Sequence, residues 1–181
     1  MDFESKITSR EISQLLWERE KSLGTAESCT GGRIAEAIIA IPGASKYFKG
    51  GIVSYADEIK ERILGVDRQL IEEKTAVCED VAVAMVKGAC KALNTDYAIA
   101  VTGIAGPGGG TAEIPVGTIW LACGNEDNVA TCQLTEDNGR DKNLSEATHT
   151  ALEMFLEFLK GEEKVSEDNV EPQGEVKWGS N

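Results

Sequence analysis

The sequence predicts an α/β fold in three layers (α/β/α), with helices on both faces of a mixed, mainly parallel sheet. Segments with helical apolar spacing alternate along the chain with short β-branched or apolar runs, as they do in folds built on a parallel sheet. Residues 97–101 are apolar throughout and favour a buried strand. Residues 116–122 and 129–134 lie on either side of a polar turn and favour an antiparallel hairpin, so we expect a mixed sheet.

The first elements predicted are a helix and a short extended segment. Thr8 and Glu11 fit a capping box, in which each residue satisfies an amide at the helix start. The apolar spacing that follows predicts a helix over about 9–23, which Gly24 ends. Residues 25–28 then form the extended segment.

A second helix, a strand and a third helix follow. The second helix ends before Pro42, and Ser28 is therefore expected where a strand passes into a helix. Its apolar positions are Ile34, Ala35, Ile38 and Ile39. Residues 51–55 favour a strand because they are β-branched and aromatic, and Asp57 suits the start of the next helix.

The last helices complete the domain. Apolar spacing predicts helices over about 81–93 and 144–159, the second of which Gly161 ends. We therefore expect one domain over residues 1–160. Residues 161–181 contain six acidic and two basic residues and few apolar ones, which predicts an acidic, disordered tail.

The charge of the chain argues against several classes of partner. Asp and Glu number 31 against 18 Lys and Arg, and the net charge of -13 would repel nucleic acids and anionic membranes. The amino terminus is acidic and lacks the apolar core of a signal peptide, and no apolar run approaches the roughly 18 residues of a membrane span. We expect a soluble, cytoplasmic protein that binds neither nucleic acid nor membrane.

The cysteines indicate reduced thiols. There are five of them, with no Cys-x-x-Cys pair and no histidine at metal-ligand spacing, so no metal site is predicted. Cys29 stands apart because a thiol at a helix start can become a reactive thiolate, which keeps it open as an alternative nucleophile.

One short stretch of the chain carries a hydroxyl, a phenol and an amine. Ser28 needs a neighbouring base, and a neutral Lys60 could supply it without a histidine. Tyr55 and Lys60 are separated by a strand end and one helical turn, so both could face one cleft; a surface tyrosine and a solvated lysine are the ordinary alternative. The amides of residues 29–32 are expected to be unpaired and able to receive an oxyanion or phosphate, although a helix cap followed by packing glycines would give the same pattern.

Residues 102–111 form a glycine-rich segment directly after the predicted buried strand. Ligands collect at the carboxyl ends of strands in parallel sheets, so this segment is a candidate binding loop. It lacks the Gly-Lys-Ser/Thr ending of a P-loop and the glycine spacing of a dinucleotide fingerprint. A flexible connection between two strands is the alternative interpretation.

Several collinear motifs resemble the CinA C-terminal domain family over about residues 8–160. They are Ala-Glu-Ser-Cys-Thr-Gly-Gly at 26–32, Pro-Gly-Ala-Ser at 42–45, residues 55–60, residues 101–111, and Pro-Val-Gly-Thr at 115–118. The resemblance implies deamidation of nicotinamide mononucleotide to nicotinate mononucleotide and ammonia, without a cofactor. Many members also carry a larger N-terminal domain, which we do not find here, and a stand-alone form is expected.

The resemblance also implies site residues. Ser28, Tyr55 and Lys60 occupy the positions of the family's catalytic serine, tyrosine and lysine. The candidate substrate-binding residues are Thr30, Gly31, Gly32, Thr102, Gly103, Gly106, Gly108 and Arg140.

The segment before the last helix departs from the family pattern. The family commonly has Gly-Asp-Arg with a second arginine four residues on, whereas here Arg140 matches the first arginine and Leu144 stands at the second. Arg140 is the leading candidate for a phosphate ligand because a guanidinium can pair bidentately with phosphate. Lys142 could replace the missing arginine.

The mechanism implied is a serine acyl transfer. A neutral Lys60 accepts the Ser28 proton directly or through Tyr55, Ser28 attacks the carboxamide carbon, ammonia leaves, and water hydrolyses the seryl ester.

Two rival functions remain open at this point. One is a hydrolase that uses His149, which has Glu146 three residues before it, and the other is a nucleotide-binding or regulatory module without turnover. The expected partner is a small nucleotide. The oligomeric state is open, and a neighbouring subunit of a homo-oligomer could complete the glycine loop.

Overall fold

The computed structural model describes residues 3–168. Its elements are α1 Phe3–Glu18, β1 Leu23–Glu27, α2 Arg33–Ile39, a 3₁₀ turn at Ala44–Lys46, β2 Phe48–Val53, α3 Asp57–Leu64, α4 Arg68–Lys74, α5 Glu79–Leu93, β3 Tyr97–Gly103, β4 Ile119–Gly124, β5 Val129–Leu134 and α6 Arg140–Asp168.

The strands form one open sheet in the order β2-β1-β3-β4-β5. Strand β1 pairs in parallel with β2 and β3, whereas β4 runs antiparallel to both of its neighbours, so four of the five strands run in one direction. Helices α1, α2 and α6 pack on one face, and α3, α4 and α5 pack on the other. The expected three-layer α/β fold with a mixed, mainly parallel sheet is confirmed.

The alternation of side chains along β3 accounts for the two cores. Tyr97, Ile99 and Val101 pack in the cluster that contains α1, α2 and α6, while Ala98 and Ala100 pack in the cluster that contains α5. Successive residues of a strand point to opposite faces, so large side chains fill one core and small ones the other. The small alanines allow α5 to lie close to the sheet.

A glycine fixes the contact between α3 and α5. A Cβ built on Gly88 of α5 would lie 1.9 Å from the carbonyl oxygen of Leu64, the last residue of α3. No side chain fits there, so the two helices touch through backbone atoms. This contact helps to hold α3, and with it Lys60, against the sheet.

The first helix differs from the prediction. It begins at Phe3 and ends at Glu18, and both Leu23 and Gly24 belong to β1. Thr8 lies inside the helix and donates its hydroxyl to the Glu4 carbonyl at 3.2 Å, so there is no capping box. The predicted helix end at residue 23 is wrong because the apolar Leu23 is buried within the sheet rather than on a helix face.

A residue with positive φ ends α1 instead of a glycine. Glu20 has φ 52°, and the amide of Lys21 donates to the Leu16 carbonyl at 2.9 Å. Gly24 lies in the sheet, where a Cβ would lie 2.6 Å from Cδ1 of Leu93. The absence of a side chain at Gly24 gives Leu93 its place against the sheet.

The last helix continues past its predicted end. Helix α6 passes through Gly161 to Asp168. Beyond the glycine, Glu162 accepts a hydrogen bond from the Tyr97 hydroxyl at 2.6 Å and one from the Asn125 side chain at 3.3 Å. These contacts with the sheet hold the extra turn. The predicted tail is therefore helical over 161–168, and its remainder, 169–181, lies outside the described residues.

Helix α4 and the start of strand β4 also differ from the prediction. Helix α4 was not predicted; it begins after Asp67, whose carboxylate accepts a hydrogen bond from the Gln69 amide at 2.8 Å. Strand β4 begins at Ile119 rather than at residue 116, because Gly117 has φ 93° and donates its amide to the Ile104 carbonyl across the connection between β3 and β4. Within residues 3–168, no helix has both the length and the apolar character required to cross a membrane.

Candidate active site

A cleft lies at the carboxyl ends of the parallel strands β1, β2 and β3. Its volume is about 200 Å³. Side chains that follow neighbouring parallel strands meet at the same edge of a sheet, which is where ligands bind in open α/β sheets. The lining residues are Ser28, Cys29, Tyr55, Gly103, Ile104, Ala105, Gly106, Gly108 and Arg140.

Ser28 stands at the turn from β1 into α2, as predicted. Its amide donates to the Val101 carbonyl of β3 at 2.9 Å, and its carbonyl accepts from the Gly31 amide at 3.1 Å. Gly31 and Gly32 have φ 60° and 106°, values that favour glycine, and a Cβ on either would meet little or no obstacle. The two glycines are therefore present for backbone conformation, which turns the chain at Ser28.

Two of the four amides of residues 29–32 are already paired with oxygen acceptors, contrary to expectation. The Gly31 amide bonds to Ser28, and the Gly32 amide donates to the Glu27 carboxylate at 3.0 Å. In the part of the turn that the structure describes, the amides of Cys29 and Thr30 have no oxygen acceptor and face the Cys29 sulfur, which is only a weak acceptor. The candidate donors to an oxyanion are thus two amides rather than four.

Cys29 lines the cleft but is a weak nucleophile. Burial raises the pKa of its thiol to about 11, and hydrogen bonds from the amides of Cys29 and Thr30 and the charge of Arg140 oppose this increase only in part. The thiolate is the reactive form, so near neutral pH Cys29 is present as the inert thiol. The structure therefore favours Ser28 over Cys29 as the nucleophile.

We expect alkylation of Cys29 by iodoacetamide to be slow at neutral pH and to accelerate about tenfold per pH unit, because the thiolate fraction grows at that rate below the pKa. Peptide mass spectrometry measures each cysteine separately, and the partly exposed Cys78 serves as the internal reference. Fast, pH-independent alkylation of Cys29 at pH 7 would contradict the thiol assignment and return Cys29 to the candidate nucleophiles.

Tyr55 and Lys60 occupy different environments. Tyr55 follows β2, lines the cleft and is 62% exposed. Lys60 is buried in α3, and its Nζ lies 3.2 Å from Oδ1 of Asp57. It does not line the cleft. At this distance the amine can donate a hydrogen bond to the Asp57 carboxylate, and the neutral form of Lys60 stays a prediction.

The predicted glycine-loop residues have separable roles. Thr102 is buried and donates its hydroxyl to the Ala76 carbonyl at 2.7 Å, so it supports the loop instead of facing the cleft. A Cβ on Gly103 would lie 2.6 Å from Cα of Ile119, and one on Gly106 would lie 2.5 Å from a methyl carbon of Val116. These are packing requirements.

Gly108 alone among the three lining glycines faces open space. A Cβ there would meet no atom within 4 Å. Gly108 is therefore the glycine whose missing side chain leaves room for a ligand. Thr30, another predicted binding residue, is buried, and its hydroxyl has no hydrogen-bond partner within the described chain.

Helix α6 fastens the glycine loop from its first turn. Arg140 lines the cleft and donates Nη1 to the Gly106 carbonyl at 2.7 Å. The buried Asn143 donates Nδ2 to the Ala105 carbonyl at 3.1 Å and to the Asp137 carboxylate at 2.9 Å. The role of Asn143 was not predicted, because an asparagine inside a helix has no local signature.

The residues considered as replacements or rivals lie elsewhere. Leu144 is buried in the core beside α1 and α2, and Lys142 lines a separate cavity of about 310 Å³ together with His149. His149 is within 3.2 Å of the Ser5 hydroxyl and contacts Glu153, so it is paired away from Ser28. Lys142 therefore does not take the place of the second arginine in the cleft, and a Ser28–His149 pair is excluded.

The remaining ionisable groups do not form a metal cage. Among residues 3–168, no group of three or more His, Cys, Asp or Glu side chains is placed to hold a metal ion. A larger cavity of about 450 Å³ lies between β5 and α6, and its charged residues, Glu136 and Glu146, are acidic. It contains none of the predicted site residues and is ill suited to a phosphate.

These features define a three-layer α/β domain with a serine-lined cleft at the carboxyl ends of its parallel strands. Residues 5–159 match the CinA C-terminal domain, and the chain belongs to this family. A CinA-like protein of Amoebophilus asiaticus is 41% identical over 150 residues, which are 83% of this chain and 36% of that protein. The chain thus spans about a third of the length of the curated relatives it matches.

Solved structures agree with this assignment. The competence/damage inducible protein CihA from Agrobacterium tumefaciens superposes with a TM-score of 0.84 at 37% identity, covering 88% of this chain and 98% of that one. A CinA superfamily protein from Escherichia coli gives a TM-score of 0.81 at 33% identity, covering 88% and 92% of the two chains. The similarity therefore includes nearly the whole of each domain.

Proposed function

We propose that this chain is an amidohydrolase that converts nicotinamide mononucleotide into nicotinate mononucleotide and ammonia, with Ser28 as the nucleophile. The observation that carries the proposal is the cleft in which Ser28, Tyr55 and Arg140 meet the glycine loop. A hydroxyl for attack and a guanidinium for phosphate within one small cleft suit a substrate that bears a carboxamide and a phosphate. Membership of the CinA C-terminal domain family supports the same activity.

The charges around the cleft orient the substrate. The Glu27 carboxylate occupies the amides at the start of α2, so a phosphate there would be repelled. Arg140 lines the cleft and attracts it. The phosphate is therefore placed beside Arg140, and the pyridine carboxamide beside Ser28. The cleft volume of about 200 Å³ is smaller than the roughly 300–1,000 Å³ of small-molecule pockets, so part of the nucleotide lies outside it.

The reaction then follows in two steps. The Ser28 oxygen bonds to the carboxamide carbon while its proton passes to Lys60, directly or through Tyr55. The proton returns to the departing nitrogen, which leaves as ammonia, and water cleaves the seryl ester to release the carboxylate and restore Ser28. The amides of Cys29 and Thr30 stabilise the oxyanion, an effect typically of about 2.7–4 kcal/mol per donor.

Asp57 connects Lys60 with solvent. The two side chains lie 3.2 Å apart, and that of Asp57 is 52% exposed while that of Lys60 is 2% exposed. Asp57 therefore offers a route by which the proton taken from Ser28 exchanges with solvent.

The direct test is ammonia release from nicotinamide mononucleotide by the wild-type chain, with and without a chelator, beside calorimetric measurement of nucleotide binding. Turnover that the chelator does not alter supports the proposal. Binding of the nucleotide without ammonia release would instead identify the non-catalytic nucleotide-binding module. Absence of both binding and release would contradict each of these functions.

Replacement of Arg140 by methionine is expected to raise the KM for nicotinamide mononucleotide by roughly 10- to 150-fold, since hydrogen bonds to charged groups contribute about 1.5–3 kcal/mol. The KM for nicotinamide riboside, which lacks the phosphate, should not rise. Lys142→Met is the matched control, because Lys142 lines the separate cavity. An equal loss of affinity for both substrates would show that Arg140 acts only by holding Gly106.

A further inference from the structure

Glu27, the residue before Ser28, has an unusual set of contacts. It ends β1 and is 1% exposed. Its Oε2 accepts from the amides of Gly32 at 3.0 Å and Ile34 at 3.1 Å, and its Oε1 accepts from the amide of Ala35 at 2.9 Å. In the part of the chain that the structure describes, its hydrogen-bond donors are all main-chain amides.

These contacts close the turn that carries Ser28. Glu27 precedes the turn, and the three amides that it binds belong to Gly32, the last residue of the turn, and to the first residues of α2, so one side chain joins the two ends. A buried carboxylate is costly unless it is well hydrogen-bonded, and here three amides at a helix start, where the dipole favours negative charge, meet that need. The main-chain bonds of Ser28 to Val101 and Gly31 complete the restraint.

The same contacts select the amides that remain. Glu27 binds those of Gly32, Ile34 and Ala35, and the Gly31 amide bonds to Ser28. The amides of Cys29 and Thr30 are left with only the weakly accepting Cys29 sulfur, and Cys29 lines the cleft. A carboxylate on the far side of the turn thus determines which donors remain available to a substrate oxygen.

We propose that Glu27 is a positioning residue for the Ser28 nucleophile, which holds the turn so that the Ser28 hydroxyl and the amides of Cys29 and Thr30 face one substrate carbonyl. Glu27 does not touch the substrate. The inference rests on the proposed serine mechanism and adds to it the group that sets its geometry. A residue that merely stabilised the fold would alter the melting temperature and leave the turnover of the folded enzyme unchanged.

The test is Glu27→Gln, which keeps the size of the side chain but turns an NH2 group toward main-chain N–H groups. We expect kcat for ammonia release to fall roughly 100-fold or more, because small misplacements of reacting groups have effects of this size. KM should stay within about threefold, since Glu27 makes no substrate contact. Glu27→Asp keeps the charge on a shorter side chain, and we expect its kcat to lie between those of the wild type and Glu27→Gln.

Ile12→Val is the control for stability alone. Ile12 is buried on α1, outside the turn, and the shorter side chain lowers the melting temperature without touching the site. Its kcat should equal that of the wild type at a temperature where both are folded. If Glu27→Gln does not fold, Glu27→Asp takes its place in the comparison.

A second readout does not depend on nicotinamide mononucleotide. A fluorophosphonate labels an activated serine, and mass spectrometry reports the rate of labelling at Ser28. We expect this rate to fall roughly 10- to 100-fold in Glu27→Gln, because the Ser28 hydroxyl and the amides that stabilise the oxyanion are no longer held in position. A wild-type chain that is labelled but releases no ammonia would refute the proposed substrate, and slower labelling of the variant would still support the role of Glu27.

Three outcomes would overturn the role of Glu27. The first is a kcat and a labelling rate for Glu27→Gln that match the wild type. The second is a fall of kcat that Ile12→Val reproduces at equal loss of stability. The third is a wild-type Ser28 that neither turns over substrate nor reacts with the fluorophosphonate, because no activated nucleophile then exists to be positioned.

Discussion

Replacement of Ser28 by alanine is expected to lower kcat for ammonia release from nicotinamide mononucleotide by roughly 10³- to 10⁶-fold, as removal of a catalytic nucleophile does in serine hydrolases. The reason is that the Ser28 oxygen forms the bond to the carboxamide carbon, and no neighbouring group replaces it. Burial raises the pKa of the adjacent Cys29 thiol to about 11, so that thiol is not available at neutral pH. A coupled assay of ammonia at saturating substrate measures the loss.

Folding and binding should survive this substitution. The hydrogen bonds of Ser28 with Val101 and Gly31 come from its main chain, which alanine retains. The dissociation constant of the nucleotide, measured by calorimetry, should therefore change by no more than about threefold. A fall of kcat with unchanged binding indicates a group that acts in the transition state.

Ser54→Ala is the matched control for the Ser28 substitution. Ser54 is a buried serine directly after β2, and its hydroxyl has no partner among the described residues. Removing an unpaired buried hydroxyl should leave turnover unchanged and stability equal or higher. Retention of more than about a tenth of wild-type kcat by Ser28→Ala would contradict a nucleophilic role.

The position of Ser28 was predictable from the sequence because its causes are local. Gly31 and Gly32 adopt left-handed conformations that turn the chain from β1 into α2. The glycine loop follows an apolar strand that any α/β sheet would bury, so its place at the carboxyl edge followed from the strand alone. In both cases the residues that determine the geometry are neighbours in the sequence.

Elements that depend on distant contacts were predicted less well. Leu23 continues the apolar spacing of α1, yet the sheet buries it as the first residue of β1. Gly161 is an ordinary stop signal, but Tyr97 and Asn125 bind Glu162 on the next turn and the helix continues. Tertiary contacts outweigh local propensity at both places.

The site shows the same division between local and distant causes. Glu27 and Asn143 were missed because their importance comes from the amides and carbonyls that they meet, and these follow only from the folded backbone. Gly103 and Gly106 line the cleft, and a Cβ at either would also strike Ile119 or Val116. A glycine-rich motif alone does not separate packing from binding, and among the three glycines that line the cleft only Gly108 has open space at its Cβ position.

Lys60→Met is the second substitution with a large expected effect, and it separates catalysis from stability. We expect kcat to fall roughly 10²- to 10⁴-fold, the usual contribution of a general base. Methionine fills a similar volume, and replacing a buried charge by an apolar side chain is often neutral or stabilising. Asp57, left alone, is half exposed and remains hydrated. Ammonia release and the melting temperature are measured on the same sample.

Lys21→Met is the control for the Lys60 substitution, since Lys21 pairs with Asp96 at 2.9 Å before the amino end of β1, away from the cleft. Its turnover should match that of the wild type. Folded Lys60→Met with kcat within about threefold of the wild type would exclude Lys60 as the base and leave Tyr55, which lines the cleft with Ser28, as the candidate proton carrier. A lower melting temperature with unchanged kcat would make the Lys60–Asp57 pair structural. Loss of turnover in a chain of equal or higher stability is the result that only a catalytic role explains, because a residue kept for stability would not improve the fold when removed.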